Sequence, residues 1–80
     1  MFFAYILKSE QYGSHYYGHC EDLKIRLVKH NAGRVRSTKA KRPWRLHYSE
    51  AFQTRSEAYR RELFFKSIEG YKFLKAEGII

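Results

Sequence analysis

The sequence predicts an α+β fold, in which a small three-stranded antiparallel sheet is flanked by helices in the order ββαβαα. Three observations predict it: an apolar strand followed by turn residues, capping residues ahead of segments with helical spacing, and a further strand-like segment between two of those helices. The chain has 80 residues and no internal repeat or linker, so a single domain over residues 1–80 is expected.

The first two strands are predicted to form an antiparallel hairpin over residues 2–20. Residues 2–8 (FFAYILK) are apolar at both alternating sets of positions, which is typical of a strand that is buried on both faces. EQYGS follows and contains Gly13, which can take the positive φ that many turns require. HYYGHC, residues 15–20, is then the returning strand.

A helix and a third strand are predicted after the hairpin. Asp22 is a candidate N-cap, and Gly33 can end the helix. An irregular basic segment, GRVRSTKAKRP, separates this helix from a strand, RLHYSEAF. Strict alternation in that strand would place Leu46, Tyr48 and Glu50 on one side and His47 and Ser49 on the other.

Two more helices are predicted near the end of the chain. Thr54 and Glu57 match a capping box, in which the hydroxyl and the carboxylate each bind a backbone N–H. The second helix is expected to run from about Arg55 to Glu69, because Gly70 breaks the pattern. YKFLKAE then forms a short third helix.

The charge of the chain indicates an anionic partner. There are 16 Lys and Arg residues against 8 Asp and Glu, a formal net charge of +8, and nucleic acid, above all DNA, is the first candidate. The alternative is that the charge only maintains solubility. The longest apolar run, Phe2 to Leu7, is too short to span a bilayer and has no secretory signal around it. With a single Cys20 and therefore no internal disulfide, the chain is expected to be cytoplasmic and not membrane-bound.

Glu62 is a candidate metal ligand. Its spacing from Ala58 and Phe65 puts it on an apolar face of the second helix, where a carboxylate needs a partner. One interpretation is a boundary glutamate that pairs with Arg60, Arg61 or Lys66. The other is a carboxylate presented to a divalent cation such as Mg²⁺, which commonly takes one or two protein carboxylates and fills its other positions with water and phosphate oxygens.

Arg26, His30 and two tyrosines are candidate catalytic residues. Arg26 and His30 are four residues apart on the first helix and share a face, so they could clamp a phosphate. The alternative is a solvated arginine beside a histidine that caps the helix C-terminus. Tyr5 and Tyr16 are either strand core residues or phenols whose pKa, ordinarily about 10, is lowered by neighbouring cations for base catalysis.

Two common kinds of site are disfavoured by the spacing. His15, His19, Cys20 and His30 cluster in the sequence, but His15 and His19 would be about 13 Å apart on an extended strand, which argues against zinc. GRVRSTKA lacks the second glycine and Lys-Ser/Thr of a phosphate-binding P-loop.

These motifs together resemble the GIY-YIG endonuclease superfamily. Tyr5 lies within FAYIL, Tyr16-Tyr17-Gly18 follows after ten residues, and Arg26, His30 and Glu62 come later in the family's order. The strings DLKIRLVKHNAG and SEAYRRE resemble the small single-domain branch related to the nuclease domain of bacterial excision-repair enzymes.

The resemblance implies the GIY-YIG fold and a metal-dependent endonuclease, linked to DNA repair or recombination, that uses one Mg²⁺ or Mn²⁺ ion. Glu62 would bind the metal, and Arg26 would stabilise the pentavalent phosphate. Tyr16 would activate or position the attacking water, with support from Tyr5. His30 would assist the water or the phosphate.

The basic loop from Arg34 to Arg45 is the candidate nucleic-acid-binding segment. Its cations could contact the phosphate backbone while its tryptophan stacks on a base; the alternative is a mobile, solvated loop. The residues concerned are Arg34, Arg36, Lys39, Lys41, Arg42, Trp44 and Arg45.

The sequence also departs from the family pattern. The first motif reads Phe3-Ala4-Tyr5, without the usual glycine and isoleucine, and Tyr17 replaces the isoleucine of the second. His19 stands where active relatives carry a lysine, which Lys24 or Lys29 would have to replace. The rival hypothesis is therefore a nucleic-acid-binding module of the same fold with little or no catalysis; a basic scaffold for another protein is a third. For the nuclease, a protein partner could supply target specificity.

Overall fold

Three antiparallel strands and three helices follow one another in the order ββαβαα in a computed structural model that describes residues 1–80. β1 is the central strand of the sheet, whose order is β2-β1-β3. This arrangement confirms the predicted α+β class. The elements are β1 (Phe2–Ser9), β2 (His15–Cys20), α1 (Leu23–Asn31), β3 (Trp44–Phe52), α2 (Arg55–Phe65) and α3 (Ile68–Ala76).

Both faces of β1 are covered, which explains why this strand is apolar throughout. Ala4 and Ile6 point to one face, where they form a core with Phe65 of α2 and Leu74 of α3. The alternate residues form a second core on the opposite face, under α1. That core contains Tyr5, Leu7, Cys20 and Trp44, with Phe3, Tyr16, Leu23 and Leu27 packed against it. The sheet therefore separates the molecule into an α1 side and an α2/α3 side.

The predicted caps of the first two helices are confirmed. The Asp22 side chain accepts a hydrogen bond from the N–H of Ile25 at the start of α1. Gly33 follows the end of α1 with a φ of +77°, the left-handed conformation that favours glycine. Thr54 and Glu57 form both hydrogen bonds of a capping box at the start of α2. None of the helices is long and apolar enough to cross a membrane.

The predicted boundary between α2 and α3 is wrong. α2 ends at Phe65, and α3 begins behind Ser67, whose hydroxyl oxygen accepts from the N–H of Gly70. Gly70 lies inside α3, and this helical position requires a glycine because a Cβ there would come 1.7 Å from the carbonyl oxygen of Phe64. This glycine therefore permits the close approach of α3 to the end of α2.

A register shift in β3 overturns the prediction for Leu46, whereas Tyr48 and Glu50 share a face as predicted. Tyr48 pairs with Ile6 and Leu46 pairs with Leu7, so His47 has no partner on β1. Since Ile6 and Leu7 point to opposite faces, Leu46 and Tyr48 do so too, although two residues apart.

Candidate active site

Gly18 makes room for the side chain of Tyr5. The two residues are paired across β2 and β1 and therefore point to the same face of the sheet. A Cβ on Gly18 would lie 2.4 Å from the hydroxyl oxygen of Tyr5 and 2.5 Å from its Cζ. The glycine of the second motif is thus a steric requirement, since it lets the Tyr5 phenol cross β2.

The Tyr5 hydroxyl lies in a chain of hydrogen bonds on the α1 side of the sheet. It is 2.9 Å from Nε2 of His30, and Arg26 Nε–H donates to it over 3.4 Å. Nδ1 of His30 is 2.8 Å from the hydroxyl of Thr38. The fold thus brings Tyr5, Arg26 and His30 together, and Thr38 joins them.

Burial sets the protonation of Tyr5 and His30. Desolvation raises the pKa of Tyr5 to about 12, although Arg26 opposes the shift, so the phenol is protonated at neutral pH. Desolvation, reinforced by the positive charge of Arg26, lowers the pKa of His30 to about 4, so the imidazole is neutral.

The predicted role of His30 requires correction. Its side chain is 0 % exposed, so it cannot contact the attacking water or the phosphate, nor does it lie at the surface as a capping residue. The burial of Tyr5, 1 % exposed, likewise leaves it no direct contact with a substrate. Both residues can act on a reaction only through Arg26, which is partly exposed and ends this series of hydrogen bonds.

Tyr16 is the half-buried tyrosine of the site. Its ring packs edge-on against His30 and Trp44, with centroid distances of 5.2 and 6.2 Å. The pKa of Arg26 is raised chiefly by its hydrogen bond to Tyr5, and the nearby Tyr16 adds to this. The pKa of Lys66 is raised chiefly by a carboxylate, and again Tyr16 adds to it. Tyr16 pairs with Leu7 of β1 and so lies on the same face of the sheet as Tyr5.

Glu62 lies on the α2/α3 side of the sheet and is paired through both oxygens. His19 Nδ1 donates to Oε1 over 2.7 Å, and the Lys66 ammonium donates to Oε2 over 2.6 Å. Burial raises the pKa of this carboxyl, but the hydrogen bonds from His19 and Lys66 outweigh it and hold the pKa below its usual value. Of the three cations considered for Glu62, Lys66 is the partner, and Arg61 pairs instead with Glu50 at 2.7 Å.

The lysine that the fold places beside Glu62 is Lys66. It lies one helical turn after Glu62, so the i, i+4 spacing of this pair was visible in the sequence.

The donor set at Glu62 is one carboxylate, whose oxygens are of the kind that hard divalent cations take. Oε2 is paired with the ammonium of Lys66, whose side chain is 48 % exposed. No group of three or more His, Cys, Asp or Glu side chains converges in residues 1–80. The protein would thus supply a single carboxylate and leave the other positions to water and phosphate oxygens, as Mg²⁺ and Mn²⁺ sites allow.

A polar depression of about 440 Å³ lies where β2 ends and α1 begins. It contains Arg26 from the α1 side and His19 from the α2/α3 side, so it links the two halves of the candidate site around the end of the strand. Lys29 and Arg55 add positive charge, which Glu21 and Asp22 partly offset, and Arg55 pairs with Glu21 over 3.7 Å. The lining residues are His19, Cys20, Glu21, Asp22, Ile25, Arg26, Lys29 and Arg55.

The basic loop is only partly available to a nucleic acid. Trp44 is 4 % exposed and its Nε1–H donates to the carbonyl of Thr38, so the prediction that it stacks on a base is wrong. Arg42 donates to the carbonyl of Lys39 over 2.8 Å and lies against Gly33, which gives it a structural role. The cations that remain exposed are Arg34, Arg36, Lys39, Lys41 and Arg45.

Two residues of the site environment were missed in the sequence. Thr38 lies in the irregular loop, where no periodic pattern marks it. Asn31 binds both the N–H and the carbonyl of Trp44, over 2.7 and 2.9 Å, and so holds the start of β3 against the end of α1. Neither contact has a local sequence signal, because each joins segments that meet only in the folded chain.

Comparison with known proteins agrees with these features. A family model described as the GIY-YIG catalytic domain matches residues 1–72. A UPF0213 protein of Staphylococcus saprophyticus is 42% identical over 74 residues, which cover 91% of this chain and 89% of that protein. One of Staphylococcus epidermidis is 40% identical over the same share.

A solved structure also matches. The solution NMR structure of a UPF0213 protein from Bacillus halodurans has a TM-score of 0.53 and 32% sequence identity, over 95% of this chain and 84% of that one. Together with the arrangement of Tyr5, Gly18 and Arg26, these matches confirm the family inferred from the motifs. The chain belongs to the GIY-YIG family, in its small UPF0213 branch.

Proposed function

We propose that this protein is a divalent-metal-dependent endonuclease that hydrolyses phosphodiester bonds of DNA. The GIY-YIG domain places it in a nuclease superfamily. The observation that supports catalysis best is the arrangement beside the edge strand β2: Arg26 binds the Tyr5 hydroxyl on one face, and Glu62 binds His19 on the other. The proposed phosphate-binding cation and the proposed metal-binding carboxylate thus flank the strand that carries Tyr16.

Arg26 is the proposed phosphate-binding residue. Its Nε–H is engaged by Tyr5, which leaves the two terminal nitrogens of the guanidinium for a ligand. Arginine suits this role because its charge is permanent and its donors form a fork that matches two phosphate oxygens. Such donors stabilise the transition state in which negative charge builds up on the phosphate.

Tyr16 is the proposed residue that positions or deprotonates the attacking water. Unlike Tyr5, it is only half-buried, so it can reach a substrate. Its ring packs against His30 and Trp44, which holds the phenol in place for that role.

Glu62 is the proposed ligand of one Mg²⁺ or Mn²⁺ ion. When bound, the ion would supply Lewis-acid polarisation of the phosphate and charge compensation at the departing oxygen. Lys66 has to leave Oε2 for Glu62 to accept it, and His19 can remain on Oε1 and hold the carboxylate in place.

The substrate is proposed to bind along the positive surface formed by the depression and the exposed loop cations. The net charge of +8 supports a polyanion. By its resemblance to excision-repair nuclease domains, we place the activity in the cytoplasm and in DNA repair or recombination, with a protein partner that supplies target choice.

A second function is favoured by one observation. Both oxygens of Glu62 are already paired with this chain's own groups, His19 and Lys66, as expected of a stable structural ion-pair cluster. A protein that kept this pairing would bind nucleic acid without cutting it.

Cleavage of supercoiled, single-stranded and branched DNA at low salt, in Mg²⁺, Mn²⁺ or chelator, separates the two functions. For the nuclease, Glu62→Gln and Tyr16→Phe should each reduce cleavage by about 100-fold or more, the range for loss of acid–base or metal catalysis. Glu10→Gln and Tyr12→Phe, exposed residues of the hairpin turn, are matched controls and should cut normally. Cleavage undiminished by Glu62→Gln would contradict the assignment, and uncut but retarded DNA in all variants would establish the binding module.

A further inference from the structure

We propose that Thr38 is a positioning residue for the candidate active site: its hydroxyl fixes His30 as the tautomer protonated at Nδ1, which makes Tyr5 a donor to His30 and an acceptor from Arg26. The inference concerns how Arg26 is oriented, and its catalytic part rests on the proposed nuclease function.

The direction of each hydrogen bond follows from counting protons. The Thr38 hydroxyl has one proton, and the carbonyl of Val35 accepts it over 3.2 Å. The lone pairs of Thr38 Oγ1 then accept Nδ1–H of His30 over 2.8 Å. Nε2 of His30 is left unprotonated and accepts the Tyr5 O–H over 2.9 Å. The Tyr5 oxygen is thereby free to accept Nε–H of Arg26.

The opposite tautomer leaves the Tyr5 proton without a partner. If Thr38 donated to Nδ1, the carbonyl of Val35 would keep only the bond from the Thr38 N–H. Nε2–H of His30 and Nε–H of Arg26 would then both donate to the Tyr5 oxygen, and the Tyr5 proton would have no acceptor. Buried donors are almost always paired in proteins, so this arrangement is disfavoured.

Thr38 is itself held in place. It is 0 % exposed, its N–H donates to the carbonyl of Val35, and its own carbonyl accepts Nε1–H of Trp44 over 2.8 Å. Asn31 binds the backbone of Trp44 on both sides, so the loop cannot rotate Thr38 away from His30 without breaking several hydrogen bonds. The buried Trp44 therefore supports the site from beneath instead of contacting nucleic acid.

The consequence for the reaction lies at Arg26. A phosphate-binding guanidinium must be oriented before the substrate arrives if its donors are to stabilise the transition state without reorganisation. Tyr5 provides that orientation by accepting Nε–H, and the bond from its own O–H to His30 keeps its lone pairs, rather than its proton, directed towards Arg26. Thr38 thus acts on Arg26 through two intervening side chains.

The test begins with the tautomer itself in the full chain labelled with ¹⁵N. Long-range ¹H–¹⁵N correlations of the imidazole rings at pH 7 distinguish a protonated nitrogen from an unprotonated one. The ring signals of His30 are identified by their loss in His30→Gln. We expect Nδ1 protonated and Nε2 unprotonated in the wild-type protein; the reverse would overturn the proposal.

Two substitutions of Thr38 then test its role. Thr38→Ser keeps the hydroxyl and should preserve the tautomer and cleavage. Thr38→Val has nearly the same shape but no acceptor for Nδ1–H. In this variant His30 should no longer be purely the tautomer protonated at Nδ1. The protein should cut DNA about tenfold more slowly, with most of the change in kcat. A Thr38→Val protein that keeps both the tautomer and full activity would overturn the proposal.

The readouts separate this inference from the proposed function. If the wild-type chain does not cut DNA, the nuclease assignment fails, whereas the tautomers of the wild-type and Thr38→Ser proteins still decide how Thr38 orders His30. If Thr38→Val does not fold, the wild-type spectrum alone can refute the assignment of the proton.

Discussion

Replacement of Gly18 by alanine should destabilise the protein by about 2–6 kcal/mol. The new methyl carbon would lie 2.4 Å from the Tyr5 hydroxyl oxygen and 2.5 Å from Cζ, and the ring has no free space into which to move because Tyr5 is 1 % exposed. Overpacking of a core costs about 1–3 kcal/mol. Displacing the phenol also breaks its buried hydrogen bond with His30, which costs about 1–3 kcal/mol more.

Urea unfolding followed by circular dichroism measures this loss, and two further variants isolate its cause. Gly13→Ala has no heavy atom within 4 Å of its new Cβ but a φ of +72°, so it should cost only about 1 kcal/mol through the backbone. In a Tyr5→Leu background, whose shorter side chain does not reach Gly18, the same Gly18→Ala change should be neutral or stabilise the strand by about 0.5–1 kcal/mol.

The steric argument is refuted by either of two results. One is a Gly18→Ala protein as stable as the wild type. The other is an equal loss of stability from Gly18→Ala in the wild-type and Tyr5→Leu backgrounds, since a double-mutant cycle without coupling means that the two side chains do not compete for space.

Three other predictions concern charge. Lys66→Met should tighten Mn²⁺ binding at Glu62 by at least about tenfold, measured by electron paramagnetic resonance, because it removes a cation from Oε2. The unfolding free energy should fall by about 3 kcal/mol from pH 7 to pH 4 through His30 alone. Burial lowers the pKa of His30 from 6.5 to about 4 in the folded protein, so the unfolded chain binds the proton first as the pH falls. Lys41→Gln should reduce the slope of log K against log salt for duplex DNA by about 0.9 if Lys41 neutralises one phosphate.

Matched variants test each of these predictions. Lys72→Met and Lys72→Gln, on the exposed surface of α3, should leave Mn²⁺ affinity and the salt slope unchanged. His30→Gln should have the shallower pH dependence of stability. Unchanged Mn²⁺ affinity in Lys66→Met, equal pH slopes with and without His30, or a salt slope unaffected by Lys41→Gln would each contradict the corresponding argument.

Local features of the sequence predicted the elements well and the ends of α2 and α3 poorly. Asp22 and the Thr54–Glu57 pair were recognisable as caps because capping depends on atoms within one turn. Gly70 was misread as a helix breaker, because its role depends on the carbonyl of Phe64, which approaches it only when α3 folds back on α2.

The residues of the site were predicted better than their roles. Spacing and the family resemblance identified Tyr5, Arg26 and His30, which do converge. Spacing carries no information on exposure, however, so the burial of His30 and of Trp44 emerged only from the packing of the loop against α1.

The sequence by itself determined the element types, the caps, the positive charge and the family, because each depends on residue type and short-range spacing. The tertiary structure alone decided that Gly18 faces Tyr5, that Glu62 lies across the sheet from Arg26, and that Thr38 meets His30. Strand register, burial and hydrogen bonds between distant segments arise from many weak contacts that form together, and no local pattern encodes them.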